Sequence, residues 1–238
     1  MAQTSRAPVV VELFTSEGCS SCPPADALLA RLAQEQLGGN VQLIALEEHV
    51  DYWDNLGWVD PFSSRDWTIR QNVYAGALGN GNAYTPQMVV DGTLEFVGSH
   101  SKQARETILK SASSPKIPVT LEQNSSNGAG SVTLSAKVAK LDGIAKGQAE
   151  VWLAITETAL HSAVKRGENA GEDLHHAAVV RSMRKIGEAK AGSETAFAGE
   201  TRVSLQKEWN RQNLRAVVFV QEKKSRRIVG AAEIHIAE

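Results

Sequence analysis

Cysteine is nearly absent: the 238 residues hold two, Cys19 and Cys22, three positions apart. A disulfide framework needs bridges between distant segments, and this pair supplies none. Long apolar runs are missing too, none approaching the roughly 20 residues of a membrane-spanning helix, so no membrane span is expected. The net charge is only −2, and although it is unevenly spread, nothing resembles the strongly basic stripe of a nucleic-acid-binding domain, so no nucleic-acid partner is expected. The most basic stretch, Lys223-Lys224-Ser225-Arg226-Arg227, reads as a solvated hairpin turn. The opening MAQTSRAP shows no apolar signal-peptide core.

What is present is enough apolar material, 42% of the chain, for a core without staples. PVVVELFT (8–15) is a short apolar run that reads as a buried strand. Behind the cysteines, Ala25, Leu28, Leu29, Leu32 and Ala33 trace one apolar helix face, and Gly38-Gly39-Asn40 ends the helix. VQLIAL (41–46) follows as a second strand, giving a strand–helix–strand unit with parallel strands. Residues 49–84 form an insertion rich in aromatics, Tyr52, Trp53, Trp58, Phe62 and Trp67, with a helix over 63–78 and a loop at 80–82. PQMVV and LEFV, separated by Asp91-Gly92, predict a hairpin. A last helix over 99–112 has Ser99 or Ser101 as its cap. SASSPKIP (111–118) is a linker by composition, and beyond it a period of two takes over, with about seven short strands. The expectation is an α/β domain at 1–112, followed by an all-β Ig-like sandwich at 118–238.

Two cysteines separated by two residues can close a disulfide with little chain movement. At a strand-to-helix turn, Cys19 is expected at the exposed helix start and Cys22 sheltered one turn further in. Cys19 then attacks a substrate disulfide and Cys22 resolves the mixed disulfide. Pro23-Pro24 removes two N–H donors, so the helix is expected to start late or bend. Closing so short a ring adds only about 2 kcal/mol, too little to explain the pair as a staple. A soft-metal clamp such as a Cu(I) site, and a non-catalytic adaptor with a vestigial pair, are the alternatives. No cofactor is expected, and no metal ligand is assigned.

Three further features carry weaker signals. Glu12, in an apolar strand, reads as a strand-end or partly solvated carboxylate rather than a proton acceptor. His175-His176, after Glu172-Asp173 in a polar loop, reads as solvated rather than ligating. The insertion's aromatics either line a substrate groove or form a local core.

FTSEGCSSCPPAD (14–26), with Tyr84-Thr85-Pro86 before a strand and a Val-Asp-Gly hairpin, resembles the thioredoxin superfamily. That resemblance implies a thioredoxin-like fold for the first domain. It also implies a cis bond at Pro86, beside the cysteines, where it helps bind a substrate backbone. Adding HVDYWD…GWVDPF, YTPQMVVDG and KRGENAGEDLHHAAVVR, the chain more closely resembles a bacterial family of secreted thioredoxin-like proteins of unknown function. A periplasmic or secreted location follows from that likeness. The site expected is Cys19, Cys22 and Pro86 for the chemistry, with Thr85, Tyr84, Trp53 and Trp58 contacting protein thiols or disulfides as partners.

Overall fold

The computed structural model describes residues 6–38, 40–79, 81–126, 130–141 and 149–237. The first five residues of the opening segment, Gly39 of the helix stop and Asn80 of the insertion loop lie outside the described residues. The chain divides into two compact units. One is Met1–Ser114 together with Thr158–Val180; the other is Pro115–Glu157 with Arg181–Glu238.

In the first unit β1 (Ala7–Thr15) pairs in parallel with β2 (Val41–His49), and α1 (Pro23–Gln34) connects them. The helix begins at Pro23 with Cys22 as its N-cap. Proline is favoured there, because the first helical N–H groups have no intrahelical partner to lose. Ala25, Leu28, Leu29 and Leu32 of α1 are buried against Val9, Val11 and Leu13 of β1. Fully burying a leucine contributes about 1.5–3 kcal/mol, so this face holds the helix. Ala33, expected on the same face, is exposed. Eight residues of helix turn about 800°, which carries Ala33 about 80° past Ala25.

A one-turn 3₁₀ helix at Asp54–Leu56 and α2 (Arg65–Leu78) occupy the insertion. Ser64 caps α2 by accepting from the Asp66 N–H. β3 (Gln87–Val90) runs antiparallel to β1 and, around Asp91 and Gly92 with positive φ, to β4 (Leu94–Val97). α3 (Ser101–Ala112) starts after His100, which offers no side-chain cap, so neither Ser99 nor Ser101 serves as one. The unit is completed by residues far along the chain, the hairpin of β8 (Leu160–Ala163) and β9 (Asp173–His176).

The second unit holds β5 (Val119–Ser126), β6 (Ser131–Ala139), β7 (Ala149–Glu157), β11 (Thr195–Ser204), β12 (Leu214–Glu222), β13 (Ile228–His235) and most of β10 (Val179–Ala189). Its core contains Val132, Leu134, Val138, Val151, Leu153, Ile155, Val218 and Val220. Among the described residues, no helix is long and apolar enough to cross a membrane.

This architecture overturns the expected thioredoxin-like α/β domain followed by an Ig-like sandwich. The protein is mostly β, and its largest sheet is mixed and eight-stranded, in the order β13-β12-β7-β10-β2-β1-β3-β4. β11-β6-β5 form a separate three-stranded sheet. Alternation of apolar residues reports which face of a strand is buried, not which strand lies beside it. The strands assigned to a self-contained sandwich are therefore shared out differently.

Candidate functional site

Cys19 and Cys22 are joined in a disulfide across the turn between β1 and α1, with Cα atoms 5.4 Å apart. Both cysteines are 0% exposed, which corrects the expected split into an exposed Cys19 and a sheltered Cys22. Cys19 also precedes α1 by one turn instead of opening it. Its Sγ lies 3.3 Å from Ser21 Oγ.

The cover comes from two directions. The loop 164–172 of the β8–β9 hairpin holds the turn by its backbone. Asn169 donates from Nδ2 to the carbonyls of Glu17, at 2.8 Å, and Cys19, at 3.1 Å, while Glu168 Oε2 accepts from the Ser20 N–H. Gly167 at the loop tip has φ +79°, which favours glycine, and a Cβ there would press on Trp58 Cβ at 3.1 Å. From the insertion, Trp53 sits close against Gly18 and donates its indole N–H to Thr85 Oγ1 at 2.8 Å. Trp53 thereby links the cysteine turn to the Thr85–Pro86 peptide, which is cis. Trp58 donates to the buried Glu17 Oε2 at 2.8 Å. Tyr84 instead reaches β4, where its hydroxyl donates to Glu95. Trp67 is buried, whereas Trp53 and Trp58 are half-buried.

Beneath the turn lies a buried polar cluster that the residues alone did not reveal. His176, read as solvated, is only 3% exposed; its neighbour His175 is exposed. His176 Nδ1 lies 2.6 Å from Glu47 Oε1 and its Nε2 3.2 Å from Glu17 Oε1. His49 Nδ1 lies 2.7 Å from Asp60 Oδ2, and Asp60 also accepts from the Glu17 and Phe62 N–H groups. Phe62 packs edge-on against both imidazoles. Burial alone pushes both histidines down. The carboxylates of Asp60 and Glu47 reverse this for His49 and hold it well above the usual range. Glu47 and Glu17 raise His176 to about 9. Glu47 is held well below the carboxylate range, against the effect of burial, by His176 and His49.

Asp26 belongs to the same region. It lies four residues after Cys22 on α1, is buried, and accepts from Thr15 Oγ1 at 2.6 Å. Burial, then Glu47, raises its carboxyl to about 7, against the opposing pull of His176. Its position was legible, since Cys22, Asp26 and Leu29 fall on one helix face. Glu12 is the reverse case. Expected to be partly solvated, it is fully buried, paired with Arg70 Nε and accepting from the Tyr74 hydroxyl. Its partners lie 58 and 62 residues away, where no local pattern could point to them.

The model of a protein family of unknown function, DUF1223, matches residues 10–221. The chain belongs to the DUF1223 family. The DUF1223 match takes in the cysteine turn, the insertion and the β8–β9 loop together. No curated protein matches the sequence. Among solved structures, a protein from Agrobacterium tumefaciens is 26% identical, with a TM-score of 0.72, covering 100% of this chain and 97% of that one. HBP35 of Porphyromonas gingivalis shares the fold with a TM-score of 0.71 at 16% identity, covering 98% of this chain and 76% of that one.

Proposed function

We propose that this DUF1223 protein carries out thiol–disulfide exchange through Cys19 and Cys22. The observation that carries the reading is the disulfide itself. The chain's only two cysteines close a ring too short to serve as a staple, at the turn that opens a helix. In the reduced form, the Cys19 thiolate attacks a partner disulfide, forming a mixed disulfide and releasing one partner thiolate. Cys22 then attacks Cys19 Sγ, closing the intramolecular bond and releasing the second thiolate. The released thiolates take up the protons lost by the cysteines, and the reverse sequence oxidises a partner dithiol. Asp26, with its carboxyl raised to about 7, is suited to hold and return the Cys22 proton near neutrality. The local resemblance of FTSEGCSSCPPAD and YTPQMVVDG to the thioredoxin superfamily supports the same reading. In this proposal the partners are protein thiols or disulfides, met by the half-buried Trp53, Trp58, Tyr84 and Thr85 beside the buried Pro86. A periplasmic or secreted location accompanies it, because disulfides persist in oxidising compartments.

The test uses a peptide with one disulfide. Reduced wild-type protein should return oxidised protein and reduced peptide. Cys22→Ser should stop at a mixed disulfide through Cys19, and Cys19→Ser should trap none. A reduced wild-type protein that leaves the peptide disulfide intact ends the proposal.

A further inference from the structure

The cluster under the cysteine turn carries chemistry that thiol exchange does not use. Glu47, His49 and His176 each present one ligand atom, all within 4.8 Å of one another, and all three side chains are buried. Among the described residues His49 Nε2 has no hydrogen-bond partner, although it is fully buried. It faces Glu47 Oε1 at 3.4 Å. That separation is long for a hydrogen bond, which rarely exceeds about 3.2 Å. It suits two ligands of one tetrahedral ion: metal–ligand bonds of about 2.0–2.1 Å place neighbouring donors roughly 3.3 Å apart. His176 Nδ1 and Glu47 Oε1 are closer, at 2.6 Å, and need only open by about 0.7 Å to reach the same spacing.

The outer contacts of both histidines follow the pattern of metal-ligating imidazoles. Such a histidine commonly gives its second ring N–H to a carboxylate, which fixes the tautomer and aims the free nitrogen at the metal. His49 has Asp60 at its Nδ1, and His176 has Glu17 at its Nε2. Asp60 is itself held by two backbone N–H groups, so His49 is aimed by a rigid partner. With Nδ1–H given to Asp60, Nε2 is the nitrogen of His49 left to face the Glu47 carboxylate. A divalent ion bound between them takes the place of the Nε2 proton.

We infer that Glu47, His49 and His176 form a site for a divalent transition-metal ion of the zinc class, with Asp60 and Glu17 orienting the two imidazoles. Two imidazoles and one carboxylate make a donor set that zinc accepts, leaving one further coordination position. The ion ties the end of β2 to β9. The site is independent of the cysteines and of the exchange proposed for them.

The experiment titrates Zn²⁺ into the full chain after chelator treatment, following bound metal and thermal stability, with Co²⁺ as a spectroscopic probe. One Zn²⁺ per chain is expected, with a rise in Tm and a visible Co²⁺ spectrum free of thiolate charge-transfer bands. The Cys19→Ser/Cys22→Ser double variant should bind as the wild type does. Asp60→Asn should weaken binding about 10- to 100-fold by releasing His49, and His49→Gln should weaken it further. Far-ultraviolet circular dichroism checks that the variants fold, and the wild-type titration and spectrum stand without them. Absence of stoichiometric Zn²⁺ binding, loss of binding with the cysteines, or unchanged binding in His49→Gln each overturn the inference. A chain that binds no Zn²⁺ yet exchanges disulfides overturns this site alone.

Discussion

Asn169 is the residue whose removal should most directly uncover the disulfide. Its side chain is buried and donates to the carbonyls of Glu17 and Cys19, on either side of Gly18. In Asn169→Ala both carbonyls lose a donor, at a net cost of about 1 kcal/mol each. The closed loop 164–172 is then weakened by about 2 kcal/mol relative to an opened one. Since about 1.4 kcal/mol is a factor of ten, the opened fraction rises roughly 30-fold. Both cysteines are fully buried, so a loop opening that frees the turn gives a thiol reductant a route to Cys19. Reduction by dithiothreitol, followed by quenched alkylation and mass, should therefore accelerate about 30-fold. Global unfolding offers a competing route, and Arg70→Met separates the two. That variant destabilises the unit without touching the loop, so its reduction rate should stay near the wild-type value under native conditions. The reasoning fails if the rate in Asn169→Ala is unchanged, or if both variants accelerate in proportion to their loss of stability.

Arg70→Met itself should cost about 3–5 kcal/mol in denaturant unfolding, because it leaves the buried Glu12 without its cation; a loss under 1 kcal/mol contradicts the assigned pairing. Gly230→Ala places a Cβ 2.2 Å from the Ile117 carbonyl oxygen, a backbone atom that cannot swing away. β13 and the chain at Ile117 must move apart, and a loss of about 1–3 kcal/mol is expected in the same assay. Asp26 gives a pH signature in metal-free protein. Its folded pKa, about 7, lies above the unfolded value, so the stability tied to its protonated form is complete below about pH 4 and lost as pH rises through 7. Its share of that fall is at most about 1.4 kcal/mol per pH unit. The charged groups around it are Glu47 and His49 of β2 and His176 of β9. Asp26→Asn should remove that share, and parallel stability–pH curves for the two proteins would falsify the assignment.

Local pattern carried the sequence a considerable way. The strand before the cysteines, the apolar face of α1, the second parallel strand and the Asp91-Gly92 hairpin all depend on residues within a few positions of one another, and periodicity records such relations directly. The two cysteines, three apart at a strand-to-helix turn, are close enough that chain geometry alone brings their sulfurs together. Tertiary structure decided what covers that pair and what lies beneath it. His176 meets Glu47 from 129 residues away, and Asn169 meets Cys19 from 150, so a loop polar by composition supplies a buried asparagine to the cysteine turn and a buried histidine beneath it. Sheet membership was decided at the same level. Each strand's alternation was written in its own residues, but its neighbours in the eight-stranded sheet depend on edges that no single strand encodes. Charged neighbours set the charge state of Glu47 and His49, and burial that of Asp26; both are properties of the packed chain, since the same side chains in an extended one would be solvated and ordinary.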